Sequence, residues 1–382
     1  MPLLLRRGLL VGAPFVALRR HRLFAQSATE YSSKAIALVR ESAVLDMLAP
    51  FQLNTAKFYQ WMDNPVSFTA ADLERYKASG LTVMHIATGV GTDQADAYQQ
   101  VLRWLAFYNG FVAHHGRDFQ RIDSVAAIRE AKQAGRIGIL LGIQNSEHFR
   151  TAADVPMFYN LGQRISQLTY NSRNRIGNGS TERRDEGLSN FGVGIVERMN
   201  EVGMAVDVSH CGERTTLDAF EVSGKPVLIT HSNCRALSGH PRCKTDEAIR
   251  RMAKSGGVMG ITAVRMFVRA TEPTTVEHVI DHFDHVKKLV GVEHLGVGSD
   301  IDLDGYDAMP ADQRARLRAF YRNRAGADTY GFREKDDIEG LNHPRRMYDL
   351  TDALLRRGYS AEEIRGILGE NFLRVLRVIW GR

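Results

Sequence analysis

Eight short apolar runs limit what this chain can fold into more than any other feature. They lie at Ala43–Met47, Leu81–Ala87, Ile137–Ile143, Ile165–Thr169, Met204–Val208, Val227–Thr230, Gly257–Thr262 and His294–Ser299. Each is rich in β-formers and bounded by turn residues. Such continuous apolar runs fit strands buried on both faces, the pattern of a parallel sheet. The stretches between them carry apolar residues at helical spacing. "DSVAAIREAKQAG" has a cap at Asp123 or Ser124 and a stop at Gly135; "FGVGIVERMNEVG" stops at Gly203 and "TTVEHVIDHFDHVKKLVG" at Gly291. Eight alternating units predict an α/β fold, a single (β/α)8 TIM barrel. An open doubly wound sheet is disfavoured because no phosphate-binding glycine loop follows the first run. The closing "SAEEIRGILGENFLRVLRVI" predicts a C-terminal helical extension of two amphipathic helices across the bottom of the barrel, and residues 305–340 form a charged excursion after the eighth run.

The barrel is expected to occupy residues 42–382 as one domain. The first 27 residues stand apart. They hold Arg6-Arg7, an apolar stretch from Gly8 to Leu18, a second basic cluster at Arg19–Arg22 and a small-x-small site at Ala25-Gln26-Ser27. This is the pattern of a twin-arginine export signal, with a periplasmic or exported location expected; the alternative is a retained basic tail on a cytoplasmic protein. The apolar stretch is too short to span a membrane. The net charge of +6 arises partly from this segment, and no interior basic run reads as a nucleic-acid surface. Cys211, Cys234 and Cys243 are odd in number, fit no zinc-finger spacing and read as buried packing residues.

Two of the runs end on histidine. "GMAVDVSHCGE" reaches His210 and "KPVLITHSNCRA" reaches His231, at the carboxyl ends of the fifth and sixth strands. Barrels of this type build their active sites on that face. Two imidazoles on neighbouring strand ends can converge on one cation; hydrogen bonding to loop backbone is the plainer role. "GVGSDIDLDG" ends the eighth strand with Asp300, a candidate proton-transfer group or a helix cap. "GHPRCKTDEAI" places Arg242 after the sixth strand, either to grip a carboxylate or as a surface residue. "QLTYNSRNRIGNG" supplies Tyr170, Asn171 and Asn174 from a polar loop after the fourth.

With "FGVGIVERMNEVGMAVDVSH", "ITHSNCRALSGHPR", "GVMGIT", "VGVEHLGVGSDIDLDG" and "ILGENFLRV" in this order, the chain resembles the membrane dipeptidase family of renal-dipeptidase-like metallopeptidases over nearly all of its length after residue 40. The resemblance implies the same barrel, zinc as cofactor and a dipeptide or related small amide as substrate, hydrolysed by metal-activated water. It matches His210 and His231 to ligands of the second zinc, Arg242 to the group that binds the terminal carboxylate, and Asp300 to the proton-handling aspartate.

The departures are as specific. The family opens its first strand with Asp-Gly-His-Asn-Asp, whose His and second Asp bind the first zinc. Here the strand reads "LDMLAP", with Leu48 and Pro50 at those positions. Gln144 stands where a bridging glutamate is expected, and Tyr170 where a substrate-contacting histidine is expected. A first zinc site is therefore not expected, and Asp46, His85 and His148 are the residues that could rebuild one. The expected centre holds one zinc at His210 and His231, with Gln144 or Asp300 as further contact. The alternatives are a degenerate barrel that binds a small ligand without turnover, and hydrolysis of a lactone or another amide. No nucleic-acid partner is expected; a homodimer is compatible with the sequence.

Overall fold

The computed structural model describes residues 31–50, 55–90, 94–322 and 333–381. The export-signal pattern of residues 1–27, and with it the expected location, lies outside the described residues. Among these, no helix is long and apolar enough to cross a membrane.

The eight predicted strands all form, with one short addition. They are β1 (Leu45–Asp46), β2 (Val83–Thr88), β3 (Phe119–Arg121), β4 (Ile137–Ile143), β5 (Gln163–Gln167), β6 (Ala205–Asp207), β7 (Ile229–Ser232), β8 (Met259–Ile261) and β9 (Leu295–Val297). All pairings between them are parallel, in the order β1-β2-β4-β5-β6 and β7-β8-β9. β3 is the addition: it pairs with Ile137–Ile139 at the start of β4, below the point where β5 takes over at Leu141. Two seams close the ring. The Leu228 amide donates to Val206 (2.9 Å) and the Val208 amide to Leu228 (3.0 Å), joining β6 to β7; the Met47 amide donates to Val297 (2.9 Å), joining β9 to β1. The result is a (β/α)8 barrel with helices outside.

The sequence stop signals act as read. The helix Val125–Gln133 is capped by Ser124, whose side chain accepts from the Ala127 amide. Asn190–Val202 ends at Gly203 with φ +81°, a left-handed conformation that glycine adopts without a Cβ clash. Val276–Val290 ends at Gly291. Within the charged excursion Arg314 pairs with Asp307 at 2.9 Å and Arg318 with Asp336 at 2.8 Å, and Arg333 ties it to the body through Glu272 at 2.6 Å.

The bottom of the barrel is closed as predicted, with one difference. The two C-terminal helices, Ala361–Arg365 and Asn371–Trp380, are joined by a π-helical turn, Gly366–Glu370, into one continuous body. Phe372, Leu376 and Trp380 pack with Leu45, Val83, Ile165, Ala205, Leu228 and Val258, the inward residues at the strand starts. Phe372 reaches the axis because Gly296 of β9 has no side chain there; a Cβ at Gly296 would collide with the ring. Phe372→Ala should therefore cost about 3–5 kcal/mol, read as a lower urea midpoint at unchanged slope. A loss below about 1 kcal/mol would mean the plug is not part of the core.

Candidate functional site

With the bottom plugged, polar inward residues concentrate toward the carboxyl ends of the strands. His210 follows β6 and His231 lies in β7, and both are buried, at 3% and 0% exposure. Their Nε2 atoms face each other at 3.0 Å. Each Nδ1 is held by an oxygen. His210 Nδ1 lies 2.7 Å from Asn171 Oδ1, which also accepts from the Ser180 hydroxyl at 3.2 Å. His231 Nδ1 lies 2.8 Å from Thr230 Oγ1. An amide oxygen accepts only, so His210 carries its hydrogen on Nδ1 and turns an Nε2 lone pair to its neighbour. Burial pushes both imidazoles well below their usual pKa, and the Arg242 charge pushes them further; His231 and Lys244 add to this at His210, His85 and Lys244 at His231. Both rings are neutral at physiological pH, the form that binds a metal.

The structure brings most of the predicted residues to this pair. The Tyr170 ring is stacked on His210, with centroids 4.2 Å apart and planes 19° apart. Asn171 adopts φ +59° and Asp300 φ +54°, the two non-glycine residues with positive φ among the described residues. Asn and Asp tolerate this region better than other side chains, and such conformations gather at functional sites. Asp300 sits half-buried at the end of β9, with its amide donating to Leu48 (2.8 Å). Burial, reinforced by the nearby Asp46 charge and opposed by Arg242, pushes its carboxyl up to about 7.

Arg242 is buried rather than exposed, at 1%. Its Nη1 donates to the Ser209 carbonyl and its Nη2 to that of His231 (2.9 Å). The guanidinium thus clamps together the two strand ends that carry the histidines. Lys244 is equally buried, donating to Cys211 O (2.9 Å) and Thr216 Oγ1 (3.0 Å), and its amine is pushed down to about 8 by burial. Asn174 holds the loop, donating to Asn145 Oδ1 and Leu168 O, both at 2.7 Å.

Other expectations resolve differently. The Gln144 amide nitrogen donates to the Ala87 carbonyl (3.4 Å), which leaves the amide oxygen as the atom that could still face the site. Asp46 accepts from the Ser299 amide (2.7 Å) and hydroxyl (2.5 Å) and lies 3.6 Å from Arg346, so it locks β9 to β1 instead of facing a metal. His85 points Nδ1 at Met47 O (2.5 Å), and His148 bonds Gln163 Oε1 (3.1 Å) in a separate loop. Met47, Leu48 and Ala49 are fully buried apolar residues at the end of β1. Among the described residues, no three His, Cys, Asp or Glu side chains are grouped to hold a metal. The three cysteines are buried and unpaired, as expected. The grouped donors are thus the two Nε2 atoms, enough for part of one cation's ligand set and not for a pair of cations.

Sequence reasoning passed over Asp207 and Thr230. The signal was present: Asp207 stands three residues before His210, and Thr230 immediately before His231.

The family model for membrane dipeptidase (peptidase family M19) matches residues 32–318 and 326–380. The chain belongs to the membrane dipeptidase family. The dipeptidase verJ of Clonostachys rogersoniana is 32% identical over 250 residues, which are 65% of this chain and 56% of that relative. The chain thus spans little more than half the length of that dipeptidase. An amidohydrolase from Pseudomonas aeruginosa is 30% identical, with a TM-score of 0.77 covering 91% of this chain and 99% of that one. A metallo peptidase from Rhodobacter sphaeroides, solved with a phosphinate mimic of the dipeptide L-Ala-D-Ala, gives a TM-score of 0.70 at 21% identity, covering 89% and 99%. At that identity the likeness shows the fold.

Proposed function

We propose that the chain hydrolyses a dipeptide or a related small amide, with His210 and His231 holding a single zinc ion. The observation that carries this reading is the pair of neutral imidazoles whose Nε2 atoms meet at 3.0 Å. At that separation the two nitrogens either share one hydrogen or, with both lone pairs turned inward, converge on a cation. The chemistry such an ion supplies is polarisation of a carbonyl and a lower pKa for water. The rest falls to this chain's own residues. Asp300, with a carboxyl near neutrality, accepts a proton from the attacking water and returns it to the leaving amine. Arg242, fixed between Ser209 and His231, provides the positive charge for a terminal carboxylate. Tyr170, flat on His210, presents its phenol to the substrate where relatives are expected to use a histidine. The likeness to the dipeptidase verJ, 32% identical over 250 residues, favours this substrate class.

The test is amino-acid release from dipeptides and N-acyl amino acids by the zinc-supplied chain. Turnover that is indifferent to chelators and survives His231→Ala would refute the reading.

A second reading, a barrel that binds a small ligand without turnover, draws support from the apolar Met47–Leu48–Ala49 end of β1. It predicts ligand binding that is unchanged by chelators.

A further inference from the structure

Below the histidine pair lies a carboxylate that no step above uses. Asp207, 1% exposed, faces the barrel interior at the end of β6. Its Oδ1 accepts from the Ser209 amide (3.0 Å), the Ser209 hydroxyl (2.6 Å) and the Thr230 amide (3.1 Å), and its Oδ2 accepts from the Thr230 hydroxyl (2.6 Å). Backbone amides only donate, so Oδ1 is an acceptor, and a carboxylate accepts at Oδ2 as well, which fixes a hydrogen on each partner. The Thr230 hydroxyl has one hydrogen, and Asp207 takes it. Toward His231 Nδ1, 2.8 Å away, Thr230 Oγ1 is then an acceptor. The ring hydrogen of His231 must sit on Nδ1, and its Nε2 must carry a lone pair. Ser209, with its own hydrogen given to Asp207, accepts from the His231 amide at 3.1 Å and steadies the backbone at the same point.

We infer that Asp207 is a positioning residue that fixes the tautomer of His231 through Thr230, and thereby makes the His210–His231 pair a cation site instead of a closed hydrogen bond. Without this constraint the cheapest arrangement of two neutral imidazoles at 3.0 Å is an ordinary Nε2–H···Nε2 hydrogen bond, which uses up both ligand atoms. His210 cannot supply that hydrogen, because Asn171 Oδ1 holds it on Nδ1. Only His231 can, and the Asp207–Thr230 relay prevents it. Carboxylates that orient ligand histidines through their second nitrogen are a general device of metal sites, and their removal weakens metal binding about 10–100-fold. Here the carboxylate acts one hydroxyl further away.

The inference rests on His210 and His231 as cation ligands, yet its first readout needs no metal. In Asp207→Asn the amide can donate to Thr230 Oγ1, which frees the hydroxyl hydrogen for His231 Nδ1 and moves the ring hydrogen to Nε2. Long-range nitrogen–proton NMR on the metal-free, histidine-labelled full chain should show Nδ1–H for both rings in the parent and Nε2–H for His231 in Asp207→Asn. Zinc affinity, measured by competition with a chromophoric chelator, should fall about 10–100-fold in the variant. Thr230→Val, near-isosteric and without the hydroxyl, should weaken zinc binding to a similar degree, and serves if Asp207→Asn does not fold. An Nε2–H on His231 in the parent overturns the inference. So does an unchanged tautomer in Asp207→Asn, or unchanged zinc affinity in Thr230→Val. A tautomer switch as described, in a chain that hydrolyses nothing, supports the inference while removing the hydrolase reading.

Discussion

After zinc loading and desalting, the parent chain is expected to retain about one zinc, and His210→Ala none. The two imidazoles are the convergent donors the structure provides, and one alone is too few to hold an ion against desalting. The loss should come without unfolding, because His210 lies at a strand end and the core beneath it is the independent layer plugged by Phe372. Circular dichroism would establish that. Hydrolysis should fall below detection in the same variant. Two retained zinc ions per chain would contradict a single His210–His231 centre, since Leu48 offers no side-chain ligand and Asp46 is engaged by Ser299 and Arg346. A His210→Ala chain that retained its zinc would remove the pair from the mechanism.

Asp300→Asn is expected to lower kcat/KM by about 10²–10⁴ while raising stability at alkaline pH. Both effects follow from one carboxyl pushed up to about 7 by burial, with Asp46 adding to the shift and Arg242 opposing it. As a base the carboxylate is the active form, so kcat/KM in the parent should climb with pH and level off above about 7. The stability sign runs the other way. An acid whose folded pKa lies above its unfolded value binds its proton more tightly in the fold. Its stabilising contribution is complete below the unfolded pKa, near 3.8, and is lost as pH rises to about 7. Asparagine has no charge to bury. The metal-free variant should therefore gain melting temperature over the parent at pH 8 and gain least at pH 4. An equal difference at both pH values would show that the carboxyl is not held protonated. A pH–rate profile in the parent without a limb near 7 would assign the proton transfer elsewhere.

The strand and helix pattern was legible in the sequence because it depends on local rules. Buried parallel strands read as continuous apolar runs, and Ser124, Gly203 and Gly291 cap or stop helices through their own backbone and side-chain preferences. The β3 addition was missed because three residues, Phe119–Arg121, carry too little pattern to distinguish from a loop.

The candidate site divides in the same way. His210, His231, Asp300 and Tyr170 were legible because they end strands, and strand ends of a barrel share one face. The replacements at Leu48, Pro50 and Gln144 were legible as chemistry, since neither an aliphatic chain nor a proline ring binds a metal. Whether Asp46, His85 or His148 compensates was not. Each is a fair ligand by type, and only the fold shows Asp46 spent on Ser299, His148 on Gln163, and His85 held by Met47 through Nδ1 with its buried Nε2 grouped with no third donor among the described residues. Arg242, expected to grip a carboxylate or to lie on the surface, is buried and clamps the Ser209 and His231 carbonyls. Sequence spacing determined which residues arrive at the mouth of the barrel, because the two-residue repeat of a strand decides which side chains face inward. Hydrogen direction was decided only in three dimensions. Which nitrogen of His231 carries the proton depends on Asp207, 24 residues away in sequence and one hydroxyl away in space.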